Sequence, residues 1–405
     1  METSEIIEKF EEYPKIPTEI EDSIINLFGV NNLHEINEKN TLAQKISGLF
    51  YGGEKTKYDK LYKEYTLYYL PMNFYKVWRP LMDLLQYKIL NTKLNILELG
   101  VGPGSCTFGI IEFFRILALD NPNEVFDISF YLIEKEKSFV EIFNKLYIKY
   151  KAIFPKNLNV IIKLDNRNLN DSIEFDDKMK FDLIVESNML NQNEQISKKV
   201  IENLVGICTK LLKPHSSIIL IEPAGENAGN YLQKMKKRLM ELSFACFSPC
   251  FCKSGECKQF AAAKTYIGKS QIIQGLRKMK SFSEIKPYHY YEYAVLRNDG
   301  LVKYKSIDNK VLLKDIGSKV GEEISFKAFI LASSNREKKI VLKICDGSLC
   351  ERKDIWIEIP KAIIENNGIS DVDVNRGEFI EVKQAKIIGK NNILCELHSK
   401  IKIMR

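Results

Sequence analysis

Three glycines on alternate positions, Gly100, Gly102 and Gly104, follow an apolar run with a single acid, Ile96-Leu97-Glu98-Leu99. They lead straight into Cys106-Thr107-Phe108-Gly109-Ile110-Ile111, a pattern that suits a helix. Glycine reaches backbone conformations closed to other residues and lets the chain approach a ligand, and a following helix N-terminus offers free N–H groups. The loop therefore suits a nucleotide-type ligand. The dinucleotide fingerprint G-x-G-x-x-G would need its third glycine at 105, where Ser105 stands, and no triphosphate-binding lysine follows. Two further acids sit where later strands should end. Glu134 follows Ser129 to Ile133 and is placed to accept hydrogen bonds from ribose hydroxyls, and Asp165 follows Leu158 to Leu164, where an adenine would lie. Glu98, Gly100, Gly102, Gly104, Glu134 and Asp165 are the candidate cofactor-binding residues.

A second constellation is made of sulfur. Cys246, Cys250, Cys252 and Cys257 are spaced C-x3-C-x-C-x4-C. Four thiolates so close repel one another unless a cation or cluster neutralises them, so the spacing asks for a metal. Zinc prefers paired C-x2-C knuckles, whereas an iron-sulfur cube takes four thiolates from irregular loops. A 4Fe-4S cluster is the expectation, with zinc as the alternative. Cys106, Cys208, Cys345, Cys350 and Cys395 fall on helix or strand patterns, and the four histidines, His34, His215, His289 and His398, show no ligand spacing.

Periodicity gives the elements that must position these groups. Residues 1–90 read as helical, with Pro71 and Pro80 as places where new helices could begin. From residue 91 to 300 short β-branched runs alternate with helical stretches, the signature of βαβ units on a mostly parallel sheet. The cysteines fall in an insertion at 244–285. After Gly300 the helices are expected to stop, and five β-rich runs between 301 and 405 suit a small closed barrel of the OB type. The predicted fold class is α/β: a Rossmann-like nucleotide domain with a helical N-terminal region and a C-terminal β-barrel.

The 405 residues are 45% hydrophobic and 28% charged, which excludes disordered, collagenous and coiled-coil readings. No run approaches the ~18 apolar residues of a membrane span, so no membrane partner is expected. The N-terminus carries neither a secretory nor an organellar pattern, so the cytoplasm is the expected location. The formal charge is +7, and residues 231–280 hold eleven Lys/Arg against two acids. That concentration beside the cysteines points to a polyanionic partner.

The loop with its acid two residues before Gly100 resembles that of class I S-adenosylmethionine (SAM) dependent methyltransferases. LYYLPMNFYKVWRPLMDLL, ILELGVGPGS, VESNML, IEPAGENAGNYLQKMKKRLMEL, SPCFCKSGEC and YEYAVLRND occur in the order seen in the methyltransferase-like small ribosomal subunit assembly factors. The resemblance spans roughly Leu61 to Asp299. It implies a SAM-binding fold, cysteines holding an iron-sulfur cluster, and a role on small-subunit rRNA in ribosome assembly or translation. The sequence departs from the family at Pro249-Cys250-Phe251-Cys252 and Glu256-Cys257-Lys258, where the family has Pro-Cys-Pro-His and then Cys-Pro. The stretch Val185 to Leu190 lacks the N-P-P-Y type sequence that grips an amino nitrogen, so no catalytic residue emerges. Two other readings remain open: an active methyltransferase of rRNA or a protein, and an iron or redox sensor whose SAM site is vestigial.

Overall fold

The computed structural model describes residues 15–29, 33, 58–169, 175–176, 178–189, 198–224, 226–249, 262–267, 269–279, 282–303, 309, 311–349, 354–369 and 379–404. Among the described residues three helices come first: α1 (Thr18–Asn26), α2 (Tyr58–Asn73) and α3 (Trp78–Gln86). There follow β1 (Lys93–Leu99), α4 (Ser105–Asp120), β2 (Phe126–Ile133), α5 (Lys137–Lys151), β3 (Leu158–Asp165), β4 (Phe181–Ser187), α6 (Lys198–Leu211) and β5 (Leu212–Pro223). Next are α7 (Glu226–Glu241), β6 (Ala245–Ser248), β7 (Ala262–Tyr266), α8 (Gln271–Arg277) and β8 (Tyr288–Arg297). The chain ends with β9 (Glu323–Asn335), β10 (Lys339–Cys345), β11 (Ile355–Pro360), α9 (Lys361–Asn366), β12 (Phe379–Gly389) and β13 (Asn392–Met404). The strands before residue 300 form a mixed sheet of order β3-β2-β1-β4-β5-β8-β6, with β7 paired to β8. Among the described residues, no helix is long and apolar enough to cross a membrane.

The chain divides into two compact units, Met1–Met189 with Gly206–Lys213 and Thr265–His289, and Leu190–Val205 with Pro214–Lys264 and Tyr290–Arg405. In the first unit, β1 pairs in parallel with β2 and β4, and β2 with β3. Parallel strands covered on both faces need continuous apolar runs, and Ile96, Leu97, Leu99, Leu132, Ile133, Ile184 and Val185 supply them. Helix α4 is buried on almost every side. Gly109 makes its contact with the N-terminal helices possible: a Cβ there would lie 2.1 Å from the Phe74 carbonyl oxygen. In the space that glycine leaves, Trp78 Nε1 donates to the Gly109 carbonyl at 2.8 Å.

A second long-range tie closes the same unit. Glu21 of α1, fully buried, accepts from Ser270 Oγ (2.5 Å), from the Gln271 N–H (3.1 Å) and from the Ile272 N–H (3.2 Å). It satisfies donors at the start of α8 that have no partner within the helix.

In the second unit β8 runs antiparallel to both β5 and β6. Strands β9 to β13 close a barrel in the order β10-β11-β13-β12-β9, in which only the β11–β13 pair is parallel. Its inward positions, among them Phe326, Leu342, Ile344, Ile357, Val382 and Ile393, fill the interior.

Two expectations are corrected. Helices do not stop at Gly300: α9 and a 3-10 turn at Leu313–Ser318 lie beyond it, each placing one or two apolar residues in the barrel core (Ile363, Ile364; Leu313, Ile316). Such short helices carry too few turns to show a period. Pro71 lies inside α2 near its end and begins no helix, whereas Pro80 does sit in the first turn of α3, where its missing N–H costs nothing. The insertion holds β6, β7 and α8, elements too short to stand out in the pattern.

Candidate functional site

The strand order reverses at β1, whose neighbours are β2 on one side and β4 on the other, and in open α/β sheets the carboxyl ends at such a reversal are where ligands bind. The glycine loop occupies that end. Gly100, Gly102 and Gly104 have φ of 72°, 58° and 101°, and Gly104 is the N-cap of α4. The N–H groups of Gly100 and Val101 donate to the Ile133 carbonyl at 2.9 and 3.1 Å, which locks the turn to the end of β2. The three glycines have different reasons to be glycine. A Cβ on Gly104 would meet Phe143 at 2.6 Å and Phe108 at 2.7 Å, two stacked rings, and one on Gly100 would meet Met189 Sδ at 2.8 Å. A Cβ on Gly102 would meet no atom of the described residues within 4 Å. Gly102 thus answers to its left-handed backbone alone, while the other two answer also to packing within the protein.

The sequence-derived acids cluster here. Glu134 is buried, and its carboxylate accepts from the Gly102 N–H (2.7 Å) and the Glu136 N–H (2.8 Å). Burial raises its pKa, against the pull of those two donors. Glu98, 1% exposed, accepts from Thr107 Oγ1 of α4 at 2.6 Å, and its pKa is pushed up to about 8, chiefly by burial and further by Glu134. It is thus a neutral acid at pH 7. Asp165 is the half-buried member: Tyr131 OH donates to it at 2.5 Å, and the hydrogen-bonded Arg167 guanidinium holds its carboxyl below the usual range. Cys106, at the loop, is buried, and its thiol is held far from ionisation by burial and by Glu98 and Glu186.

At the end of β4 stands a group that sequence reasoning did not select. Lys76, between α2 and α3 and 1% exposed, donates from Nζ to Asn188 Oδ1 at 2.8 Å. Asn188 has φ of 57°, unusual for a residue other than glycine, and the next N–H, of Met189, donates to Glu186 Oε1 at 3.0 Å. Burial and the Lys76 charge hold the His289 imidazole down to about 3, so it is neutral at physiological pH. The bend after β4 is thus held by a lysine 112 residues away. Its sequence signal is faint: a lysine inside the aromatic run Asn73-Phe74-Tyr75-Lys76-Val77-Trp78.

Of the proposed metal ligands, Cys246 is buried on β6, its thiol facing the Ser248 carbonyl at 3.6 Å. Cys250, Cys252 and Cys257 lie outside the described residues. The basic stretch is partly committed within its own unit: Lys236 is buried, Arg238 pairs with Glu202 and Glu241, and Lys234 is exposed over the Tyr231 ring.

No protein-family model and no curated protein matches the chain. Solved structures similar to it include a methyltransferase from Pyrococcus furiosus (14% identity, TM-score 0.31, covering 55% of this chain and 83% of that one). TrmN from Thermus thermophilus is another (12%, TM-score 0.32, 54% of this chain and 48% of that one). A third is the plantazolicin methyltransferase BpumL in complex with a desmethylPZN analog and SAH (14%, TM-score 0.31, 65% and 98%).

Proposed function

We propose that the chain is a SAM-dependent methyltransferase. The observation that carries this is Gly102, left-handed and open on its Cβ side, with its N–H fixed on buried Glu134 where the strand order reverses. SAM would supply an electrophilic methyl group on a sulfonium. The residues present fit it. Gly102 gives the backbone a close approach, and Glu134 keeps lone pairs for ribose hydroxyls beyond those used by the two N–H groups. Asp165 would face the adenine. Glu98, with the glycine turn, would meet the methionine end, where a ligand ammonium would draw off its proton. The acceptor would enter at the bend after β4, beside Asn188, Lys76 and neutral His289. Calorimetry with SAM and SAH tests the pocket, and transfer from tritiated SAM to small-subunit RNA tests the reaction. SAM affinity equal in the wild type and Gly102→Val would remove the assignment.

A second reading, an RNA-facing assembly protein on the small ribosomal subunit, is favoured by the barrel. Its three antiparallel strands, a helix before the fourth, and a fifth strand parallel to the third suit an OB-type module. On its outer face Trp356 lies directly opposite Lys343, a ring beside a cation as single-stranded nucleic acid prefers. In this reading Cys246, Cys250, Cys252 and Cys257 hold a 4Fe-4S cluster, with zinc as the alternative, the basic stretch meets phosphates, and the protein works in the cytoplasm. In this reading the helical region, the SAM-binding domain and the barrel would divide near residues 90 and 300. Sedimentation with ribosomal subunits and iron, sulfide and zinc analysis of anaerobic protein test it.

A further inference from the structure

The barrel carries an irregularity at one corner. Pairing of β12 with β13 runs through Ala385↔Cys395 and resumes at Lys383↔Lys400, so residues 396–399 of β13 stand opposite the single residue Gln384. Gln384 takes φ of 58°. Ser399 pins the excursion, its Oγ accepting from the Glu396 N–H (2.9 Å) and donating to the Gln384 carbonyl (2.6 Å). Bulges of this kind re-aim side chains. Here Leu397 is left 81% exposed, while Glu396 and His398 meet Glu323 of β9, the strand on the other side of β12. His398 Nε2 is 3.1 Å from Glu323 Oε1, and one oxygen or nitrogen from each of Glu323, Glu396 and His398 lies within 4.8 Å of the others.

We propose that Glu323, Glu396 and His398 form a binding site for a divalent first-row transition-metal ion, distinct from the cysteine cluster. Metal–ligand bonds of ~2.0–2.2 Å place ligand atoms roughly 3 to 4.4 Å apart around one ion, a spacing these three groups reach by small side-chain rotations. Two carboxylates and one neutral imidazole suit Mn²⁺, Fe²⁺, Co²⁺ or Zn²⁺ and do not select a soft thiophilic ion. The partly exposed position leaves room for waters to complete the shell. An ordinary alternative exists, because Lys386 Nζ lies 3.9 Å from Glu396 Oε1 and His398 Nε2 is hydrogen-bonded to Glu323, which makes one surface ion pair and one hydrogen bond. The two arrangements compete for Glu396. A bound ion would join β9 to β13 across β12 and so tie the barrel's corner from outside.

The test uses the full chain and Mn²⁺, since thiols at residues 246–257 would take up zinc. Free Mn²⁺ is measured by electron paramagnetic resonance, and the imidazole signals are followed in histidine-labelled protein. The expected result is selective broadening of the His398 signal by stoichiometric Mn²⁺, with His215 unaffected. Glu323→Gln and His398→Ala should each weaken binding at least about tenfold, the usual effect of losing one ligand-shell member. Lys386→Met should tighten it by removing the competing ammonium. Circular dichroism melts confirm that each variant is folded. Mn²⁺ that stays free at roughly millimolar protein, or an affinity equal in wild type, Glu323→Gln and His398→Ala, would overturn the site and leave a surface ion pair and a hydrogen bond.

Discussion

Glu98→Gln should stabilise the protein, and increasingly so as pH rises. Glu98 is almost wholly enclosed and its pKa stands at about 8 against an ordinary 4.5. Between these values the folded state keeps a proton that the unfolded state releases, so the wild type loses stability as pH climbs from 4.5 to 8. At about 1.4 kcal/mol per pH unit, that loss is about 3 kcal/mol at pH 7 and ~5 kcal/mol above pH 8. Glutamine keeps an oxygen for Thr107 Oγ1 to donate to and cannot ionise. The chain has two tryptophans, Trp78 and Trp356, so in a Trp356→Phe background Trp78 fluorescence reports the first unit alone. Urea titrations at pH 4.5, 6, 7 and 8 should give curves for wild type and Glu98→Gln that coincide at the lowest pH and separate steadily above it. Parallel pH dependences, with a constant gap, would refute the assignment of a buried, proton-holding Glu98.

Gly102→Val should abolish SAM binding and cost the fold only the ~1–2 kcal/mol of a left-handed non-glycine backbone, whereas Gly104→Val should lower the Trp78 melt further, because its Cβ would also enter the Phe108 and Phe143 rings; equal melts for the two would remove the distinction. Glu21→Ala leaves three donors unsatisfied and should cost about 1–3 kcal/mol, with faster hydrogen exchange at Gln271 and Ile272; unchanged exchange would count against the clamp. SAM binding near pH 7 should release a proton in wild type and none in Glu98→Gln, read from the buffer dependence of the calorimetric heat. Trp356→Ala should weaken single-stranded RNA binding by about 1–3 kcal/mol if a base stacks there, and no change would take that face out of the RNA reading.

The glycine turn and the acids at the ends of β1, β2 and β3 were legible because their requirements are local: a left-handed backbone needs glycine, and a strand end is marked by its neighbours. The division of labour among the glycines was hidden, since Phe143 and Met189 come from elements 39 and 89 residues away from Gly104 and Gly100. Lys76 was hidden for the same reason: its role depends on Asn188, and a lone lysine among aromatics has no periodic signature. The barrel strands were visible from their alternation, but α9 and the corner bulge were not, because a six-residue helix and a one-against-four register leave no repeating pattern.

The Glu21 clamp also sets a timetable. Its hydroxyl donor, Ser270, follows 249 residues later in the chain. At ~5–20 residues per second on the ribosome, roughly 12–50 seconds separate the emergence of the two partners. Through that interval α1 has no seat for its carboxylate, and the strands carrying the glycine turn and its acids are all made before the clamp can shut. Helix α1 packs mainly against α5, which is made early, so the helix can dock before its carboxylate is capped, and the cap closes only once the chain has been translated past Ile272.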